Sequence, residues 1–226
     1  MRPAQIFIGY DSKEPVAYHV LAHSILRRAS IPVSIAPLAL GQLGGLYTRP
    51  RGPLESTEFS LTRFLVPYLS GYVGHSLFLD CDMLCLVDIA ELFTLVEAQP
   101  FLAVSVCPHE YTPKGDVKFL NQPQTAYPRK NWSSLMLFDN KACQQLTPDY
   151  VNTATGLELH RFAWCPDNRI GALGLEWNYL VDEENQAMAP PKLLHYTRGG
   201  PWFPAYQTCS YADLWFTELA LMMGRG

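Results

Sequence analysis

Short apolar runs alternate with amphipathic stretches along this chain. Residues 5–9 (Gln-Ile-Phe-Ile-Gly) predict a buried first strand, and Tyr10-Asp11-Ser12-Lys13 predict a loop. Residues 14–28 predict a helix with Val16, Val20, Leu21, Ser24 and Ile25 on its inner face and Arg27 and Arg28 at its negative end. Residues 31–35 predict a second strand, so the chain opens β-loop-α-β, which implies a mostly parallel sheet covered by helices. Residues 37–55, rich in Gly and Pro, read as a long loop. Residues 58–69 carry a helical stripe of Phe59, Leu61, Phe64, Leu65, Tyr68 and Leu69. Arg63 lies off that stripe, and Pro67 is expected to kink the helix and free the Arg63 carbonyl.

Asp88-Ile89-Ala90-Glu91 has the spacing of a capping box opening a short helix. Strands are expected at 101–106, 132–138 and 192–196, and 108–130 reads as a loop or irregular hairpin. Cys165-Pro166-Asp167 is expected to begin a helix. An amphipathic terminal helix is expected at 210–223, with Ser210 and Asp213 in capping positions. No internal repeat is visible, and residues 1–226 read as a single α/β domain.

The 226 residues, 48% hydrophobic and 17% charged, suffice for a substantial core. A net charge of −4 argues against a nucleic-acid binder. No apolar run is long enough to span a bilayer, and Met1-Arg2-Pro3-Ala4-Gln5 does not read as a signal peptide. The six cysteines form no CxxC pair and read as reduced thiols, which makes the expected location cytoplasmic or peripheral to a membrane. The terminal helix, with Asp213, Glu218 and Arg225, is a poor match for anionic lipid and is expected to pack on the core.

One stretch changes the picture. In Leu77-Phe78-Leu79-Asp80-Cys81-Asp82-Met83-Leu84, an apolar run ends in two aspartates one residue apart and apolar sequence resumes at once. On a strand, residues i and i+2 share a side, so both carboxylates project together. Like charges so placed repel, and a divalent cation is the simplest compensation. That points to an enzyme handling a phosphorylated or diphosphate substrate through a metal. The alternative is a pair of turn or cap residues.

Several segments then fall into a known order: Ile6-Phe7-Ile8-Gly9-Tyr10-Asp11, Ser60-Leu61-Thr62-Arg63-Phe64, Leu79-Asp80-Cys81-Asp82, Asn131-Trp132-Ser133-Ser134, Pro166-Asp167-Asn168, and His195-Tyr196-Thr197-Arg198-Gly199-Gly200-Pro201-Trp202. In this the chain resembles the family-8 glycosyltransferases, which have the GT-A fold and transfer sugars with retention of configuration. The resemblance implies a Rossmann-like, mixed but mostly parallel sheet flanked by helices. It implies that Asp80 and Asp82 are the DxD metal motif and His195 the third protein ligand, a set suited to Mn²⁺ with Mg²⁺ as the alternative. Tyr10 and Asp11 would receive base and ribose, with Ile8 and Gly9 lining the base slot. Arg63 would bind the donor sugar or hold the aspartates, and Asn131 and Ser133 would lie near the sugar. Asp167 and Asn168 would be the catalytic pair, Asp167 on sugar hydroxyls and Asn168 near the anomeric carbon. The donor would be a UDP-sugar and the acceptor a glycan or other hydroxyl.

Beside this reading stand plain ones: a hydrogen-bonded core histidine for His195, a solvated helix-face arginine for Arg63, a turn residue for Tyr10 and a helix-start acid for Asp11, and a helix-start acid for Asp167. The chain departs from the family's HxxGxxKPW segment, because no lysine precedes Pro201-Trp202. Arg198 is the neighbouring cation, and the amides of Gly199 and Gly200 could approach phosphate. Two other classes stay open. A haloacid-dehalogenase-type phosphatase also uses Asp-x-Asp after a strand, but earlier in the chain and with later acidic motifs not found here. A non-catalytic nucleotide-sugar-binding protein fits the missing lysine.

Overall fold

The computed structural model describes residues 2–52, 55–109, 129, 131–183, 187 and 189–225. The expected loop at 108–130 therefore falls almost wholly outside the described residues. A six-stranded sheet runs in the order β2-β1-β3-β6-β5-β7. Its strands are β1 (Ala4–Tyr10), β2 (Val33–Ala39), β3 (His75–Leu79), β5 (Val104–Val106), β6 (Leu135–Asp139) and β7 (Ile170–Ala172). β1 pairs in parallel with β2 and β3, and β5 with β7, while β6 lies antiparallel between β3 and β5. β6 alone opposes the rest, so this is the mostly parallel mixed α/β sheet that the sequence implied. A second sheet, β4-β9-β8, holds β4 (Met83–Cys85), β8 (Tyr179–Leu180) and β9 (Leu193–His195).

Helix α1 (Pro15–Arg28) connects β1 to β2. It starts on a proline, whose missing N–H costs nothing there, and buries Ala17, Val20, Leu21, Ser24 and Ile25 at helical spacing. β2 starts later and runs further than expected, taking in Pro37, which is tolerated because β2 is an edge strand. What remains of the expected 37–55 loop begins with a 3₁₀ turn at Leu40–Gln42.

The expected helix at 58–69 is a 3₁₀ turn, Thr62–Leu65, followed by the short helix α2 (Val66–Leu69). Pro67 opens α2 instead of kinking it, and the Arg63 carbonyl is not freed, since it accepts the Val66 N–H. In this tighter geometry Arg63 is buried. Helix α3 (Ala90–Glu97) has no capping box: Asp88 accepts the Ala90 and Ser30 amides, and Glu91 turns out to Lys192 at 2.7 Å. The helices α4 (Pro148–Thr153) and α5 (Gly156–His160), the latter with a reciprocal Thr155–Glu158 capping box, were not anticipated. At Cys165-Pro166-Asp167 no helix begins. A 3₁₀ turn, Asp167–Arg169, leads straight into β7, because pairing with β5 extends the chain there.

The terminal helix α6 (Ala212–Met222) packs on the core, but Ser210 does not cap it; the Ser210 hydroxyl and amide bond Asp182. Glu218 of α6 is buried against α1, 2.8 Å from Arg28, 2.9 Å from Arg27 and 2.7 Å from His23.

Two apolar cores result. The larger contains Phe59, Phe64, Phe78, Phe138 and Trp177, and the smaller Val20, Leu84, Val181, Leu194, Tyr196 and Trp215. Strand alternation divides β4 between them, with Met83 and Cys85 in the larger core and Leu84 in the smaller.

Candidate active site

The parallel strands β1, β3 and β5 end at one edge of the large sheet, the edge where open α/β sheets place ligands. Asp80 leaves β3 there, and Asp80-Cys81-Asp82 is the junction between the two sheets, since β4 begins at Met83. The Met83↔His195 pairing of β4 with β9 brings His195 alongside. His195 Nε2 lies 3.3 Å from Asp82 Oδ1 and 3.9 Å from Asp80 Oδ2. Ligand atoms of Asp80, Asp82 and His195 all fall within 4.8 Å of one another.

The surroundings fit a cation. His195 Nδ1 is 2.7 Å from Asn178 Oδ1, and the Asn178 amide nitrogen donates to the Asn131 carbonyl at 3.2 Å. Asn178 thus presents an oxygen to Nδ1, which donates to it, and this orientation leaves Nε2 facing the aspartates. Among the described residues, Asp82 Oδ1 is buried without a hydrogen-bond partner. The buried Asp82 Oδ1, 3.3 Å from Nε2, calls for positive charge beside it. Two carboxylates and a neutral imidazole are a donor set for Mn²⁺ or Mg²⁺.

Arg63 is built into this site. Its Nη1 is 2.7 Å from Asp80 Oδ1 and donates to the Ser133 carbonyl at 2.9 Å. The guanidinium centre sits 5.2 Å from the Phe59 ring centroid and 4.9 Å from that of Phe78. Burial raises the Asp80 carboxyl, Arg63 opposes it and Asp82 reinforces it, and the net effect holds it up at about 6.

The other predicted residues divide. Tyr10 is half-buried at the end of β1, edge-on to Tyr18. Asp11 is buried, and its two carboxylate oxygens accept the Lys13 and Glu58 amides, so its side chain pins the loop. Ile8 and Gly9 do not line an open slot: Ile8 is 0% exposed in the core, and a Cβ on Gly9 would lie 2.4 Å from the Phe59 ring. Ser133 is buried, with its hydroxyl 2.8 Å from His160 Nδ1. Asn131, at φ 65°, offers its carbonyl to Asn178.

Arg198 is paired with Glu183 at 2.7 Å. Gly199 has φ +122°, its N–H is bonded to the Tyr196 carbonyl, and a Cβ there would meet Tyr206 at 2.7 Å. On Gly200 a Cβ would meet the Trp202 ring at 1.9 Å. Both glycines are therefore required by packing. Trp202 itself lies against Trp215 and Tyr196, and its indole donates to Glu14.

Asp167 and Asn168 are not brought into the cluster. They precede β7, beside residues leading into β5, at the edge opposite Asp80. The Asp167 side chain is 79% exposed and paired with Arg129 at 2.6 Å. Asp167 lines a shallow groove of about 430 Å³ with Arg129, Arg161, Cys165 and Pro166 among others.

Two polar residues escaped the sequence. Asn178 carries no local pattern. Glu14 stood only as the first residue of the expected helix, yet it is buried, accepts the Cys81 thiol at 3.5 Å and the Trp202 indole at 3.2 Å, and is pushed up to about 8 by burial and then by Asp82.

No family model matches the chain. Among solved structures it is similar to the WbbM bifunctional glycosyltransferase (14% identity, TM-score 0.66), covering 99% of this chain and 51% of that one, so it spans about half the WbbM length. It is also similar to the galactosyltransferase LgtC in complex with donor and acceptor sugar analogs (11% identity, TM-score 0.61, 96% of this chain and 95% of that one). At such identities the likeness establishes the fold, which is the GT-A fold of glycosyltransferases. Among curated proteins, Protein CDI of Arabidopsis thaliana is 48% identical over 226 residues, 96% of this chain and 86% of that protein, and the chain belongs to its family.

Proposed function

We propose that this chain transfers a hexose from a nucleotide-diphosphate sugar, UDP-linked, to a hydroxyl of a glycan or similar acceptor, with retention of configuration. The observation that carries this reading is the convergence of Asp80, Asp82 and a tautomer-fixed His195 at the ligand-binding edge of a GT-A sheet. Asp80, Asp82 and His195 would hold a divalent cation, Mn²⁺ or Mg²⁺, which when bound supplies positive charge to the diphosphate leaving group. Arg63 orients Asp80 and offsets its charge. Asn178 orients His195. Asp11 fixes the loop after β1, beside which Tyr10 would stack on a flat base. Among the described residues no carboxylate besides Asp80 and Asp82 belongs to the cluster, which favours a front-face displacement in which orientation and preorganised charge lower the barrier.

One observation favours a second reading, a nucleotide-sugar binder without turnover. Arg198, the cation nearest the position of the missing lysine, is already paired with Glu183. Release of UDP from a panel of UDP-sugars, with Mn²⁺ and with EDTA, separates the two. Metal-dependent release abolished in Asp82→Ala supports transfer chemistry. Tight binding without release supports the second reading. Neither binding nor release refutes both.

Among the described residues no helix is long and apolar enough to cross a membrane.

A further inference from the structure

The acid at the start of α1 turns away from its own helix. Glu14 stands at the N-cap position, where a side-chain oxygen ordinarily accepts an amide of the first turn, but its side chain makes no such bond. It is buried instead, only 4% exposed, and burying a carboxyl is costly unless donors meet it. Two donors do, from segments distant in sequence: the Cys81 thiol at 3.5 Å from Oε1 and the Trp202 indole N–H at 3.2 Å from Oε2. The Glu14 backbone N–H bonds the Asp11 carbonyl at 3.1 Å, which ties the residue to the loop after β1 as well.

Both side-chain partners belong to the candidate cation site. Cys81 lies between Asp80 and Asp82 at the junction of the two sheets, so a bond to its side chain restrains the backbone from which both carboxylates project. Trp202 ends the loop that begins after His195. Its ring covers Gly200 and packs edge-on to Tyr196, the residue next to His195, with ring centroids 5.9 Å apart. The Tyr196 N–H in turn bonds the Asp82 carbonyl at 2.9 Å. One carboxyl group therefore holds the segment carrying two of the proposed cation ligands against the segment carrying the third.

Building on the donor-site reading above, we infer that Glu14 is a positioning residue that fixes the Asp80-Cys81-Asp82 junction and the loop from Tyr196 to Trp202 at the spacing the cation requires. It acts through Cys81 and Trp202, without touching cation or nucleotide. The expected consequence is selective. Loss of Glu14 loosens the ligands and weakens cation binding, while the protein once loaded with cation keeps its affinity for the nucleotide.

The test measures, in the full chain, the Mn²⁺ concentration that gives half-maximal UDP binding and the UDP affinity at saturating Mn²⁺, with Tm recorded for each variant. Glu14→Leu removes both acceptor oxygens, Glu14→Gln keeps one, and Trp202→Phe removes the indole donor. Glu218→Gln, which breaks the buried pairing of α6 with α1 outside the site, controls for lost stability alone. Glu14→Leu is expected to raise the Mn²⁺ requirement about tenfold and Glu14→Gln by less, with UDP affinity at saturating Mn²⁺ within about twofold of wild type. Adding Glu14→Leu to Trp202→Phe should raise the requirement by a smaller factor than adding it to wild type, because the two changes break one shared bond. Glu218→Gln should lower Tm and leave the Mn²⁺ requirement where it is. An unchanged requirement in Glu14→Leu (or in Glu14→Gln, should the leucine variant not fold), an equal rise in Glu218→Gln, fully additive factors with Trp202→Phe, or a loss of UDP affinity that saturating Mn²⁺ does not restore would each overturn the role of Glu14 while leaving the donor site standing. Failure of the wild-type chain to bind UDP with Mn²⁺ would overturn the donor site, and the role of Glu14 with it.

Discussion

Arg63→Met removes a buried cation while filling most of its space between Phe59 and Phe78. In the wild type, Asp80 moves from an ordinary 3.8 up to about 6 because of burial, even with Arg63 opposing. A carboxyl raised in the folded state binds its proton more tightly there than in the unfolded chain. Its contribution to stability is therefore full below 3.8 and is lost as pH rises through about 6. Two units correspond to about 3 kcal/mol lost by pH 8 in the metal-free protein. Without Arg63 the folded value climbs further, so the loss continues to higher pH.

The two proteins should therefore differ little at pH 5, where Asp80 is protonated in both. There the Arg63 bond to the Ser133 carbonyl and its longer one to the Phe59 carbonyl at 3.3 Å are missing, together worth about 1 kcal/mol. At pH 8 the gap should open to about 3 kcal/mol, in the range for breaking a buried ion pair. Urea denaturation in EDTA at the two pH values measures it. Saturating Mn²⁺ at pH 8 should then recover part of the gap, because it supplies charge beside Asp80. A gap that is equal at both pH values, or absent, would refute the claim that Arg63 serves to offset Asp80.

Asn178→Ala should lower Mn²⁺ affinity about 10- to 100-fold with UDP present, because His195 loses its orientation, whereas Asn178→Asp, which keeps the oxygen, should lose less; metal titration decides. Glu218→Gln should destabilise the protein by about 2 kcal/mol at pH 7, allowing for partial solvent screening at Arg27. Burial raises the Glu218 carboxyl, but Arg27, Arg28 and His23 more than reverse this and bring it to about 2, so its stabilisation is present above 4.5 and fades as pH falls through about 2. Wild type and Glu218→Gln should accordingly converge in acid, which melting curves between pH 7 and pH 2 would show. Gly200→Ala should disrupt the loop against Trp202 and Gly41→Ala should not, because a Cβ at position 200 meets a ring at 1.9 Å and one at position 41 meets nothing within 4 Å; tryptophan fluorescence and Tm distinguish them.

What the sequence made legible had a period. β1 and α1 follow from strand-like and helical spacing, and the end of α1 follows from Arg27-Arg28. Asp80 and Asp82 were legible because charge interrupted an apolar run, although the interruption proved to be a junction between two sheets. Arg63 was read as off the buried stripe because the stripe assumed 3.6 residues per turn, and a 3₁₀ turn points the side chain inward. Pro166-Asp167 has the same first-turn chemistry whether a helix or a strand follows, and only the pairing of β7 with β5 decides. Asn178 and Glu14 act through partners distant in sequence, and a lone amide or acid leaves no local trace of such partners.

The central claim is a metal-dependent nucleotide site at Asp80, Asp82 and His195. Isothermal titration of UDP, and separately GDP, with and without Mn²⁺, into wild type and Asp82→Ala tests it most directly. The account predicts UDP binding that requires Mn²⁺, exceeds GDP binding and disappears in Asp82→Ala. Absence of UDP binding in the presence of Mn²⁺, or binding that survives Asp82→Ala unchanged, would contradict it.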